Sequence, residues 1–391
     1  MASTAAPTKE ELVRRTAELV PLLRKTAVDA DENRILPDEV IEAMTEAGIP
    51  KMRVPARFGG YESDVNTVVE VLAEVGRGDG SASWVASVWA ISTWMMGLFP
   101  DEVQEEVFST PDVRITGILS PTAIGVPTEG GILLNGKWSF NSGARQSHWN
   151  ANAAMLAHPG GEHEPIMVAV PLSDLRIVDD WHTSGLRGTG SITTIAEDVF
   201  VPQARVLSMG PVLAGQHPAQ LNASSRIHRA PFMPTACTTI SAPAVGLARA
   251  AREAFLERLP GRKITYTDYD NQSEAPLTHL QVAEAKICAD EAEFHAFDAA
   301  NLLDAKATQP WTVEDRALVR LHLGAVCRRA KEAVDILNTA SGGSSLYSTV
   351  PIQRIARDIQ AINLHAILHP NTNLELYGRI ACGLGPNTPY I

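Results

Sequence analysis

Ile132-Leu133-Leu134-Asn135-Gly136-Lys137-Trp138-Ser139-Phe140-Asn141-Ser142-Gly143 carries the clearest local signal in this chain. Two apolar runs flank Asn135-Gly136, a pair that tolerates the positive φ angles of a two-residue turn, so a β-hairpin is predicted there. Outward from it, Met155 to Ala157, Ile166 to Val170 and Ala196 to Val201 read as further strands. Residues 111–208 are therefore expected to form a β domain, a barrel or sandwich. Residues 1–110 read differently. Apolar and charged residues recur there at three- and four-residue intervals, Pro37-Asp38 opens a helix and Gly48 closes it. Residues 209–391 return to long helices. Val245, Ala248, Ala251, Phe255 and Leu259 share one stripe, Thr312 and Asp315 form a capping box, and Gly342-Gly343 stops the helix that follows. The expected architecture is α+β: a helical N-terminal domain, a central β domain and a C-terminal four-helix bundle.

Composition narrows the function. At 391 residues the chain holds ample buried volume, and a formal charge of −12 argues against a nucleic-acid surface, which needs clustered Lys and Arg. The four cysteines, Cys237, Cys288, Cys327 and Cys382, lack metal or disulfide spacing and read as reduced thiols of a cytoplasmic protein. No metal site is expected. The Ala/Thr-rich start has no secretory core, and the apolar run Trp84 to Phe99 falls short of the ~20 residues a membrane helix needs. A buried helix is expected there instead. No Gly-x-Ser-x-Gly elbow, Walker loop or zincin pair occurs, so the chemistry must come from a cofactor or from residues gathered across the three zones.

Several segments together resemble the acyl-CoA dehydrogenase superfamily: Leu36-Pro37-Asp38-Glu39 through Phe58-Gly59-Gly60, Gly117 to Thr122 followed by Gly136 to Gly143, Gly185 to Ser191 with Val199 to Pro202, and Arg357-Asp358. The likeness runs in order over nearly the whole chain and implies that superfamily's fold. A dehydrogenase commonly carries a glutamate just after the Arg-Asp pair. Here Ile359 to Asn373 contains no acid, and His365 and His369 stand in its place. The resemblance is then to the two-component flavin-dependent monooxygenase branch, which implies an oxygenase component. Such a component takes reduced FMN or FAD from a separate flavin reductase, uses dioxygen through a C4a-hydroperoxyflavin, and hydroxylates an aromatic or amine-containing small molecule. An FAD-dependent acyl-CoA dehydrogenase with its base at Glu253 or Glu257, and a helical scaffold without cofactor, are the alternatives.

The resemblance also implies roles. Ser142 suits the flavin N5, because a hydroxyl both donates and accepts; a turn serine is the plainer reading. His365 suits the base, with His369 as its rival, since imidazole titrates near working pH; a helix-end histidine is the plainer reading. Ser120 and Thr122 are expected near the flavin, Trp138 against its ring or simply in the core, and Gly342 and Gly343 beside its tail or merely ending a helix. Several aromatic hydroxylases of this branch carry a histidine near the position that Ser92 occupies here. A homotetramer built through the C-terminal bundle is implied as well.

Overall fold

The computed structural model describes residues 6–158 and 160–391; most of the Ala/Thr-rich start lies outside them. Five helices come first: α1 (Lys9–Asn33), α2 (Asp38–Glu46), α3 (Val65–Gly78), α4 (Gly80–Met96) and α5 (Asp101–Phe108). Strands β1 (Ile115–Thr128), β2 (Gly131–Asn141), β3 (Trp149–Ala157), β4 (His163–Pro171), β5 (Arg176–Val178), β6 (Ile192–Pro202) and β7 (Val206–Ser208) follow. The chain then returns to helices: α6 (Met209–Leu213), α7 (Phe232–Arg258), α8 (Pro276–Lys306), α9 (Val313–Ala340), α10 (Pro351–Leu364) and α11 (Pro370–Ala381). The helix–sheet–helix order expected from the sequence is present. The expected cuts near residues 110 and 208 fall where helix gives way to strand and strand to helix, and we propose them as domain boundaries.

Local chemistry accounts for the ends of these elements. Gly48 adopts φ 88° just after α2, and a side chain there would run into the Tyr61 ring. At the start of α9, Thr312 and Asp315 form the reciprocal capping box. The hairpin is a correction. Asn135-Gly136 lies inside β2, and the turn is Glu129-Gly130, with Gly130 at φ 78°. Asn135 and Gly136 instead mark a register shift against β6, where Asn135 exchanges hydrogen bonds with Asp198, itself at φ 52°. The left-handed tolerance read as a turn serves a bulge.

All seven strands join one sheet in the order β5-β6-β2-β1-β3-β4-β7, with β1 and β3 parallel. One core cluster, including Ile132, Leu134, Trp138, Ala154, Val168 and Val201, belongs to the sheet and the turn before β5. The larger cluster runs from α1 to α5 through Ile115 and Trp149 into α7 to α10, so both helical zones and one part of the sheet share a core. No helix among the described residues is long and apolar enough to cross a membrane.

Candidate active site

Helix α4 is the wall on which the site is built. It carries no charged side chain, and every residue but Val88 is buried. Asp79 caps its first turn, its carboxylate accepting the Ala82 N–H at 2.8 Å. Burying three tryptophans leaves three indole N–H groups to satisfy, since an unpaired buried donor costs about 1–3 kcal/mol. Trp94 donates to the Ile227 carbonyl at 2.8 Å, Trp89 to Ser147 Oγ at 3.0 Å, and Trp84 to Ser142 Oγ at 3.1 Å.

Ser142 follows directly on β2 and is 4% exposed. Its neighbour Gly143 turns the chain at φ 65°, and a Cβ there would sit 2.7 Å from Val85. Glycine thus lets the strand end lie against α4. His365 ends α10, and its ring meets the Trp84 indole edge-on, with centroids 5.2 Å apart at 65°. Although the residue is half-buried, its Nδ1 is sealed and has no hydrogen-bond partner among the described residues. Burial pushes the imidazole down to about 4, so it is neutral at pH 7. A base titrating near neutrality was expected; the structure instead gives a neutral acceptor awaiting a proton donor. Trp84 therefore touches both residues singled out in the sequence, the hydroxyl through its N–H and the imidazole through its ring.

The remaining expected residues distribute unevenly. Trp138 matches the plainer of its two expected readings: it is 0% exposed, donates Nε1–H to the Ala153 carbonyl at 2.7 Å, and belongs to the core of the sheet. The exposed aromatic ring of this strand is Phe140, two residues before Ser142, which sequence reasoning missed. Phe140 adopts φ 67°, within the register shift between Trp138 and Asn141, and is 67% exposed with its ring edge-on to Trp181 at 5.6 Å. Its spacing two residues before Ser142 was the available signal. Ser120 and Thr122 are exposed where β1 breaks register, and Thr122 Oγ1 donates to the Lys137 carbonyl at 2.5 Å. Gly342 and Gly343 sit apart, in the turn after α9, where Arg262 donates to the Ser341 carbonyl. His369 caps α11 and borders a cleft with Arg328, Asn363 and Leu364. Ser92 Oγ is buried without a partner, 3.1 Å from where a Cβ on Gly117 would be.

Carboxylates are engaged elsewhere. Glu253 pairs with Arg24 and Arg77, and Glu257 with Arg24, on α7. Asp358 is buried and accepts the Leu186 N–H at 2.6 Å; desolvation, reinforced by Asp79, pushes it up to about 7. Among the described residues no group of three His, Cys, Asp or Glu side chains has metal-binding geometry.

A flat heteroaromatic ring with an edge N–H fits this donor set: an exposed aromatic face at Phe140, a hydroxyl at Ser142 and an unpartnered imidazole nitrogen at His365. Family models described as "Acyl-CoA dehydrogenase, N-terminal domain" and "Acyl-CoA dehydrogenase, C-terminal domain" match residues 9–111 and 238–370. The chain is 31% identical to the flavin-dependent monooxygenase oxygenase subunit HsaA of Rhodococcus jostii, over 95% of this chain and 98% of that one. It is 30% identical to the FADH(2)-dependent resorcinol hydroxylase oxygenase component of a Rhizobium species, over 97% and 96%. The structure of XiaF from a Streptomyces species, in complex with FADH2 and glycerol, superposes with a TM-score of 0.91 at 27% identity, covering 98% of each chain. The chain belongs to the acyl-CoA dehydrogenase superfamily, in its branch of oxygenase components of two-component flavin-dependent monooxygenases.

Proposed function

We propose that this chain takes reduced FMN or FAD from a separate flavin reductase and uses it with dioxygen to hydroxylate an aromatic or amine-containing small molecule. The carrying observation is that Ser142 and His365 both pack against one buried indole, Trp84. Reduced flavin, when bound, supplies the two electrons that split dioxygen into one oxygen atom for the substrate and one for water.

The chain's own residues do the rest. Phe140 offers a ring face for stacking, and Ser142, held by the Trp84 N–H, holds an edge N–H of the bound ring. His365 Nδ1 accepts a hydrogen bond from a substrate hydroxyl or amine and takes its proton only as oxygen transfer makes that proton acidic, because burial holds the imidazole down to about 4 and leaves it a weak base toward the resting substrate. The apolar wall of α4 excludes water, which strengthens each of these interactions. Ser120 lies on the open side and, with Thr122, suits the ribityl or phosphate end of the cofactor; Gly342 and Gly343 allow close backbone approach by its tail. Trp138 takes no part.

Assembly is proposed to be a homotetramer through the C-terminal bundle. Leu280, Ile287 and Phe294 recur every seven residues along α8 and are all exposed, as is Leu277 one turn earlier. A stripe of this kind on one helix face is an interface in search of a partner. We place the protein in the cytoplasm, where its four cysteines, all free, stay reduced. The test of function is anaerobic titration with photoreduced FMN and FAD, followed by mixing with dioxygen and a panel of phenols and aryl amines. Hydroxylated product supports the reading; quantitative peroxide with no product across the panel counts against it. Light scattering at micromolar concentration decides the assembly.

A further inference from the structure

Ser142 Oγ is one end of a buried hydroxyl chain. Ser191 Oγ lies 2.6 Å from it, and Thr189 Oγ1 lies 2.6 Å beyond. The chain ends on the Leu186 carbonyl, 2.7 Å from Thr189 Oγ1. Thr189 and Ser191 are 2% and 4% exposed, so no bulk water competes for these bonds. The loop that carries them is fixed to α10, because the Leu186 N–H donates to Asp358.

Each hydroxyl has one proton, and a carbonyl only accepts. If Thr189 gives its proton to Leu186, Ser191 must give its own to Thr189, and Ser142 must give its own to Ser191. Every proton then has an acceptor within 2.7 Å. The reverse order leaves the Ser142 proton with the Phe140 carbonyl at 3.5 Å, the edge of hydrogen-bonding distance. The first order is favoured by one good hydrogen bond. In that order Ser142 receives the Trp84 N–H, sends its proton to Ser191, and keeps one lone pair free.

We propose that Ser191 and Thr189 are positioning residues that set Ser142 as a hydrogen-bond acceptor, so that the site selects reduced flavin over oxidised flavin. This rests on the reading above that a flavin edge faces Ser142. The N5 of reduced flavin carries a proton for such an acceptor. The N5 of oxidised flavin carries none and requires a donor, which Ser142 supplies only by reversing the whole chain. An oxygenase that receives its flavin reduced and releases it oxidised needs this asymmetry, and the relay provides it with residues that do not themselves touch the ring.

The experiment is equilibrium binding of oxidised and photoreduced FAD, with FMN in parallel, under anaerobic conditions. It uses the intact protein and its Ser191→Ala, Thr189→Val and Thr189→Ser variants. One hydrogen bond corresponds to roughly a five- to tenfold change in the oxidised-to-reduced dissociation-constant ratio. Tenfold is about 30 mV in the midpoint potential of the bound two-electron couple. The unmodified protein is expected to favour reduced flavin. Ser191→Ala frees the Ser142 proton and lowers that preference five- to tenfold, chiefly by tightening oxidised flavin. Thr189→Val moves it in the same direction by less, and Thr189→Ser, which keeps the hydroxyl, leaves it in place. A ratio unchanged in both Ser191→Ala and Thr189→Val, with flavin still bound, overturns the relay and leaves the flavin site standing. Failure of the unmodified protein to bind either flavin in either state overturns the flavin reading and the relay with it.

Discussion

Removing the indole N–H of Trp84 while keeping an aromatic ring is the sharpest perturbation of the site. Trp84→Phe deletes the 3.1 Å hydrogen bond to Ser142 Oγ and leaves a ring edge near His365. A hydrogen bond of this kind in a dry site is worth about 1 kcal/mol net. With the donor gone, Ser142 Oγ loses its anchor to α4 while its proton stays with Ser191, and reduced-flavin affinity is expected to fall about fivefold, that same ~1 kcal/mol. Ser142→Ala removes the acceptor, so Trp84→Phe has nothing further to break in that background. Anaerobic titration of reduced FAD across the four proteins of the cycle should therefore give a coupling energy of about 1 kcal/mol. If the two losses add within about 0.3 kcal/mol, Trp84 and Ser142 act independently and the convergence argued here is refuted.

Other perturbations read other parts of the molecule. His365→Gln keeps hydrogen-bonding capacity but cannot carry a proton. Hydroxylation of a phenol should drop by roughly 10²-fold or more, with reduced-flavin affinity nearly unchanged. Because burial holds His365 down to about 4, product yield should show no inflection near pH 6.5 attributable to this residue; an inflection there that vanishes in His365→Gln would contradict its buried, neutral state. Asp358, pushed up to about 7, binds a proton in the folded state that the unfolded chain has released above its ordinary value of 3.8. Its contribution to stability therefore falls as pH rises from 3.8 to 7 and is constant above. Asp358→Asn should gain stability relative to the parent over that window, by a few kcal/mol at most (about 1.4 per unit); a difference independent of pH in denaturant melts would rule this out. Finally, Gly136→Ala places a Cβ 2.5 Å from Ala123 Cα at φ 147°. A loss on the order of 2–3 kcal/mol is expected, read as a drop in melting temperature; an unchanged melting temperature would mean that the bulge is not fixed.

What the sequence could disclose depended on how local the cause was. The capping box at Thr312 and Asp315 and the stop at Gly48 are written in neighbouring residues, and the structure forms both as read. Asn135-Gly136 signalled positive φ correctly but not its use, because a bulge and a turn draw on the same left-handed tolerance. Only pairing with Asp198, a residue distant in sequence, separates them. Trp138 and Phe140 share a parity along an ideal strand, so alternation could not say which ring faces out. The positive φ of Phe140 and the nearby register shift decide it. Ser142 and His365 were visible as residue types suited to a role, yet their convergence on Trp84 required three elements to fold together. Thr189 and Ser191 stood in a segment quoted for its resemblance alone. Their chemistry exists only through hydroxyl contacts across the site.

The most direct measurement of the central claim is product analysis after single turnover with photoreduced FAD and isotopically labelled dioxygen, run on the unmodified protein, Ser142→Ala and His365→Gln. One labelled oxygen atom is expected in the aromatic product of the unmodified protein, and peroxide in its place when either residue is replaced. Labelled product formed equally well by all three proteins, or product oxygen drawn from water, would contradict it.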